Sequence, residues 1–320
     1  MALSEAQREK RKSYLGSSDV AAVVGVDPFR NASDVWLDKS GRLKDRDSAS
    51  KAADMGNDLE DAVLNMFERR TRISLKRSVF LTREDSGFPA CANLDAGEYD
   101  GPNLRAVVEA KSTSLQDEWG DAVSAVPLRV EIQCQWQMWV GDCELAWVPV
   151  LLSQFGRFKF EVYQVERNEK LLGPVVERAR WFWNHCVVED NEPDDVPHLE
   201  TLKRRSRGEI DDVISLPTEV AVAWNDLEGA KQRKVAAETD EEHYKAIVLK
   251  GLGDAAAGRL PDGRLITYKE QNGGRHCDFD LLEMELRALG QSSIYDKLVR
   301  KSRFPVLRIA KAKIRAKGMR

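Results

Sequence analysis

Ala92-Asn-Leu-Asp-Ala-Gly-Glu-Tyr-Asp-Gly-Pro-Asn-Leu-Arg-Ala-Val-Val-Glu-Ala-Lys111 carries the pattern on which the fold turns. Its second half, Arg105-Ala-Val-Val-Glu-Ala-Lys111, is apolar and β-branched and reads as a buried strand. Side chains alternate between the faces of a strand, so Glu109 and Lys111 project from the same one. Asp100-Gly-Pro-Asn103 is a strong turn signal. A hairpin folded there sets position 95 almost opposite 108 or 109. Asp95, Glu109 and Lys111 then converge, and a slip of one residue would separate them. Burying two carboxylates with an ammonium is costly unless a metal or an anion neutralises the group. That cost marks a candidate site.

The residue types suit a divalent metal held against a phosphodiester. Mg²⁺ takes hard oxygen ligands and keeps waters, so one or two protein acids plus a phosphate suffice. Asp95 and Glu109 supply the acids, and the backbone carbonyl of Ala110 a third oxygen. Lys111 orients or helps deprotonate the attacking water and offsets charge on the phosphorane. Mn²⁺ is expected to substitute, and the pattern does not distinguish one metal from two. By itself an Asp followed by Glu-x-Lys is a weak motif in a chain that is 32% charged. The bland reading is a surface hairpin with a solvated ion pair.

Several other segments agree with the sharper reading. Arg11-Lys-Ser-Tyr-Leu-Gly-Ser-Ser-Asp-Val-Ala-Ala-Val-Val-Gly25, Val26 to Gly41, and Gly56-Asn-Asp-Leu-Glu-Asp-Ala-Val63 precede the acid motif. Gln133-Cys-Gln-Trp-Gln-Met-Trp-Val140 and Val165-Glu-Arg-Asn-Glu-Lys170 follow it. In this order, over residues 8–190, the chain resembles the YqaJ-type viral recombinases, alkaline exonucleases related to the phage lambda exonuclease. The resemblance implies an α/β restriction-endonuclease-like core, a central mixed sheet flanked by helices. It implies that Glu60 belongs to the metal site with Asp95 and Glu109, and that Arg11 and Ser18 bind a 5′-terminal phosphate. The activity it implies is Mg²⁺-dependent hydrolysis of one strand of linear double-stranded DNA from the 5′ end, leaving a 3′ overhang. Ring-shaped trimers around DNA, and a single-strand annealing protein as partner in phage or prophage recombination, are likewise implied.

Each segment also has a physical reading of its own. Gly16-Ser-Ser-Asp19 ahead of Val20-Ala-Ala-Val-Val24 is a helix start, where exposed amides and the helix dipole attract anions. Ser18 alone is an ordinary cap, and Arg11 sits in a basic run, Arg8 to Lys12, that reads equally as a solvated helix. Glu60 lies on a helix beginning near Gly56, beside the apolar positions Leu59, Val63, Met66 and Phe67. A further helix starts at Pro127, with Ile132, Trp136 and Trp139 or Val140 on its apolar face. Arg129, Gln133 and Gln137 share its other face at four-residue spacing. Gln133 can hold a scissile phosphate or a water, or the stripe is simply solvated.

With 320 residues there is room for a catalytic domain and an appendage: 1–190, a charged connector 191–215, and a helical and β-hairpin region 216–320. Thr218 to Lys250 is helical in character and is stopped by Gly251-Leu-Gly253; a turn into a strand (260–268) and a helix (279–286) follow. Five widely spaced cysteines read as reduced thiols. No apolar run spans a membrane and no signal-peptide core opens the chain, so a bacterial cytoplasmic setting is expected. The formal charge is −4, but residues 297–320 hold ten Lys or Arg and no acid, leaving 39 basic against 53 acidic residues, or −14, elsewhere. That tail, with a short strand at Val306–Ile309, is suited to clasping phosphates or to plain solvation. Two rivals stand beside the exonuclease: a same-fold endonuclease, and a non-enzymatic DNA-binding or annealing protein. The second would need stacking aromatics among basic residues, whereas Trp136, Trp139, Trp147, Trp181 and Trp183 stand at core-like spacings.

Overall fold

A computed structural model of the chain describes residues 12–43, 51–114, 118–120, 126–154, 157–205, 214–269, 278–291, 293–294 and 297. Arg11, the strand expected at Val306–Ile309 and all but the first residue of the basic tail lie outside the described residues. The chain divides into two compact units, residues 1–207 and 208–320.

The first unit is built on one mixed sheet. Its elements run β1 (Leu15–Gly16), α1 (Ser17–Val23), α2 (Ala32–Lys39), α3 (Lys51–Thr71), β2 (Leu75–Arg83), β3 (Ala90–Asp100), β4 (Asn103–Val108), β5 (Lys111–Thr113), α4 (Leu128–Gly141), β6 (Leu145–Gln154), β7 (Arg157–Glu166) and α5 (Glu169–Trp181). A π-helix, Phe182–Val188, and α6 (Leu199–Arg204) complete it. β3 pairs with β1 in parallel and with β2 and β4 antiparallel; β6 pairs with β4 and β5 in parallel and with β7 antiparallel. This is the α/β arrangement that the resemblance implied, a mixed sheet flanked by helices.

The long helix α4 packs across β2, β3, β4, β6 and β7. Its Trp136 is fully buried and donates Nε1–H to the carbonyl of Cys91 at 2.9 Å, so the indole loses no hydrogen bond on burial. On α3, Leu64 joins Ala96 and Val108 in a separate small cluster. Helix α3 starts at Lys51, earlier than the glycine that the periodicity pointed to. Pro127 is the N-cap of α4 rather than its first helical residue. Asn168 caps α5, its side chain accepting from the amides of Lys170 and Leu171.

The charged stretch after residue 190 lies against α2 at several points. Asn31 Nδ2 donates to the carbonyl of Val196 at 2.8 Å, and Ser33 Oγ to that of Asp195 at 2.7 Å. Asp34, whose side chain is 1% exposed, accepts from His198 N at 2.9 Å and lies 2.6 Å from His198 Nδ1. The core-like spacing of the tryptophans holds for Trp136, Trp139 and Trp183 but not for Trp181, which is 45% exposed beneath the Arg178 guanidinium. It is the last residue of α5, where the π-helix begins.

The second unit comprises α7 (Thr218–Leu252), a hairpin of β8 (Ala257–Arg259) and β9 (Leu265–Thr267), and α8 (Phe279–Ala288). Gly253, at φ +55°, stops α7 where the glycine pair predicted. No residue of α7 or α8 is buried.

Candidate active site

Three departures from regular sheet geometry meet at Asp95. The tip of the β3–β4 hairpin closes on Gly101, at φ +59°, a conformation that glycine adopts without strain. From the tip, Asp100 pairs with Asn103 and Tyr99 with Leu104, but Glu98 pairs with Ala106. Arg105 is therefore an extra residue, and the bulge shifts every later pair by one. Ala96 faces Val108, and the next step of that register sets Asp95 across from Glu109. On its other side, β3 pairs Arg77 with Ala96 and Val79 with Leu94, skipping Ser78, whose φ is +52°. A non-glycine residue in the left-handed region is a local strain of the kind that collects at functional sites.

The third departure is in the expected strand itself. β4 and β5 continue one another in register on β6, Val108 opposite Trp147 and Lys111 opposite Val150, with Glu109 and Ala110 between them. There the amide of Ala110 leaves the ladder and donates to Asp95 Oδ2 at 2.8 Å. Asp95 is thus tied to the backbone beside Glu109.

Glu109 is the centre of the arrangement and is 4% exposed. Its Oε1 accepts from Lys111 Nζ at 2.5 Å and from Gln133 Nε2 at 2.7 Å. Lys111 Nζ also donates to Gln133 Oε1 at 3.2 Å. Glu109 Oε2 accepts from Gln137 Nε2 at 2.6 Å. The stripe of amides on α4 is therefore not a solvated face: Gln133 and Gln137 point into the sheet, at the acid.

Burial pushes the Asp95 carboxyl well above its usual range, the neighbouring Glu109 carboxylate pushes it further, and Lys111 opposes both. Burial also raises Glu60, with Glu109 and Asp61 adding to it and Lys111 opposing. Glu60 is half-buried and stands close enough to Asp95 and Glu109 to repel them. Burial works against the Lys111 ammonium but is outweighed by Glu109 and Asp95, which hold its pKa above the ordinary lysine value. Lys111 is thus the cation that the two carboxylates share.

Asp95, Glu109 and Lys111 come together as the hairpin and strand alternation predicted, the Ala110 amide and Gln133 join them, and Glu60 on α3 is within range of their charge. Among the described residues no group of three or more His, Cys, Asp or Glu forms a metal cage. Ser18 is exposed at the start of α1. The polar cluster behind it escaped the reading of the sequence. Asp19, whose side chain is 1% exposed, accepts from the amide of Gly16 at 3.4 Å and is paired with Lys39 at 2.7 Å and Arg30 at 3.0 Å. Asp19 therefore already serves the helix start that was read as an anion pocket. Neither Asp19–Lys39 nor Asp19–Arg30 is at helical spacing, so no local pattern announced them. Gln137 was visible as a polar position at helical spacing, but not as a buried one.

Residues 8–144 match the YqaJ-like viral recombinase domain. Over 189 residues the chain is 29% identical to the uncharacterized protein YqaJ of Bacillus subtilis (strain 168), covering 58% of this chain and 56% of that protein. The chain thus spans a little over half the length of that relative. In structure it is similar to an alkaline exonuclease, LHK-Exo, from Laribacter hongkongensis, with TM-score 0.46, 14% identity, and coverage of 58% of this chain and 94% of that one. A phage-related exonuclease from Haemophilus somnus 129PT aligns with TM-score 0.39 and 14% identity, covering 57% and 99%. No helix among the described residues is long and apolar enough to cross a membrane.

Proposed function

We propose, from the match of residues 8–144 to the YqaJ-like viral recombinase domain, that the chain is a metal-dependent deoxyribonuclease. It removes one strand of linear double-stranded DNA from the 5′ end and leaves a 3′ overhang. The observation that carries this reading is the convergence of Asp95, Glu109, Lys111 and Gln133 at a break in the sheet. Two repelling carboxylates there share one ammonium in a largely enclosed place.

The donor set fits Mg²⁺ or Mn²⁺. Mg²⁺ needs only one or two carboxylates and keeps its waters, a demand that Asp95 and Glu109 can meet. Asp95 and Glu109 would hold the ion, with the Ala110 carbonyl beside them and Glu60 at the margin. When bound, the ion supplies an acidified water and neutralises charge on the phosphate. Lys111 orients or helps deprotonate the water and meets the charge that develops on the phosphate. Gln133 offers a neutral amide to the same phosphate. Arg11 and Ser18 hold the 5′-terminal phosphate and so define the end. By the same resemblance the protein works as a ring-shaped trimer with a single-strand annealing protein, in a bacterial cytoplasm.

The test uses linear duplex labelled at its 5′ or its 3′ ends, with 5′-phosphate or 5′-hydroxyl, and closed circular DNA alongside. Mg²⁺-dependent early release of the 5′ label, faster from phosphorylated ends and with the circle intact, is the expected result. Early release of the 3′ label would overturn the polarity, and cutting of the circle would make the protein an endonuclease. DNA bound but never degraded would make it a binding protein.

A further inference from the structure

Helix α4 brings two amides to Glu109, and they are not equivalent. Gln133 and Lys111 both meet Oε1, and both keep some contact with solvent. Gln137 meets Oε2 alone, at 2.6 Å, and is 0% exposed. One carboxylate oxygen thus faces partners at the margin of the site, while the other faces a sealed one.

Gln137 is also poorly satisfied. Its Oε1 is buried and has no hydrogen-bond partner among the described residues. An unpaired buried amide oxygen carries its full desolvation penalty, and Met or Leu would fill the same volume without it. Reversing the amide offers no relief, because it would aim the carbonyl oxygen at the Glu109 carboxylate. A buried polar group that breaks the packing rule beside a site acid is expected where function sets the residue.

Resting on the reading of Glu109 as a metal ligand, we propose that Gln137 is a positioning residue. It anchors Glu109 through Oε2 and so dedicates Oε1 to a divalent cation. Lys111 and Gln133 are the exchangeable partners of Oε1, and Gln137 is the permanent partner of Oε2. Outer partners that orient a ligating carboxylate are typically worth about 10–100-fold in metal affinity.

The experiment measures Mn²⁺ binding to the full chain without DNA, from the electron paramagnetic resonance signal of free Mn²⁺, alongside the thermal midpoint of each variant. Gln135→Met is the structural control. Gln135 is equally buried on the same helix, but donates to the Glu166 carbonyl at 2.7 Å and accepts from the Asn168 amide at 2.8 Å, away from Glu109. Gln137→Met is expected to weaken Mn²⁺ binding about 10–100-fold with a midpoint no lower than that of Gln135→Met. Gln135→Met should lower the midpoint and keep the wild-type Mn²⁺ affinity. Wild-type affinity in Gln137→Met, or equal losses in the two variants, would overturn the positioning role. If Glu109→Ala binds Mn²⁺ as tightly as the wild type, the metal-site reading falls and takes this inference with it.

Discussion

Without a cation, Asp95 stands beside Glu109 with Lys111 as the shared counter-charge. Burial and the second carboxylate both raise the Asp95 pKa, so its ionised form costs stability. The sign follows directly. The cost is present at neutral pH and disappears as the pH falls toward the raised value, where folded Asp95 takes up a proton. Asp95→Asn keeps an oxygen for the Ala110 amide and removes the charge. In EDTA at pH 7 it is expected to raise the thermal midpoint by about 2–4 °C, as ~1 kcal/mol does in a unit of this size, and the gain should shrink in acid. An unchanged or lower midpoint at pH 7 would mean that the two acids do not repel. Asp95, Glu109 and Lys111 were legible because strand alternation and one turn signal are local properties. Gln137 was not, because an Arg129, Gln133, Gln137 stripe looks the same in sequence on a solvated helix as on one laid across five strands. The pairing of Asp19 with Lys39 was hidden for the same reason: it depends on how α1 and α2 pack.

At the scale of elements, the hairpin from Ala90 to Val108 decides whether the acids meet. The turn at Gly101 was legible, and it left position 95 opposite 108 or 109. The bulge at Arg105 settles the choice, and nothing in Leu104-Arg-Ala106 announces it. Deleting Arg105 straightens the hairpin and leaves Asp95 across from Glu109. Deleting Glu98 instead moves Asp95 opposite Val108, on the wrong face. Nuclease activity is expected to survive the first deletion within about tenfold and to fall at least about 100-fold in the second; equal losses would show that register is not what positions the acids.

The segment 193–198 is a second element-scale case. Burial works to raise the Asp34 pKa, but hydrogen bonds from Asn31, Thr201 and His198 outweigh it and hold it below the ordinary value. A depressed carboxylate stabilises above its unfolded pKa and loses that contribution as the pH falls through the folded one. The His198 amide, which donates to Asp34, should therefore lose hydrogen-exchange protection below about pH 4, and Asp34→Asn should reproduce the loss at neutral pH. Protection that persists in both would show that Asp34 does not hold the segment. The charge block there reads as an exposed connector because its anchors, Asn31, Ser33 and Asp34, lie some 160 residues earlier in the chain.

At the scale of the whole chain, chemistry and core coincide. Every buried core residue described lies in the first unit, as do Glu60, Asp95, Glu109, Lys111 and Gln133. The second unit was legible as elements, since Gly251-Leu-Gly253 and the Asp278 cap are local stop and start signals. Its role was not, because an exposed helix such as α7 carries no packing pattern that names a partner. The central claim is that Glu109 anchors a metal-dependent nuclease centre. Its most direct test is nucleotide release from linear duplex DNA in Mg²⁺ by the wild type and by Glu109→Gln, with folding of both checked by their thermal midpoints. Release by the wild type that stops in EDTA and falls at least about 100-fold in the folded variant is the predicted result. A folded Glu109→Gln that degrades DNA within about tenfold of the wild type would contradict it.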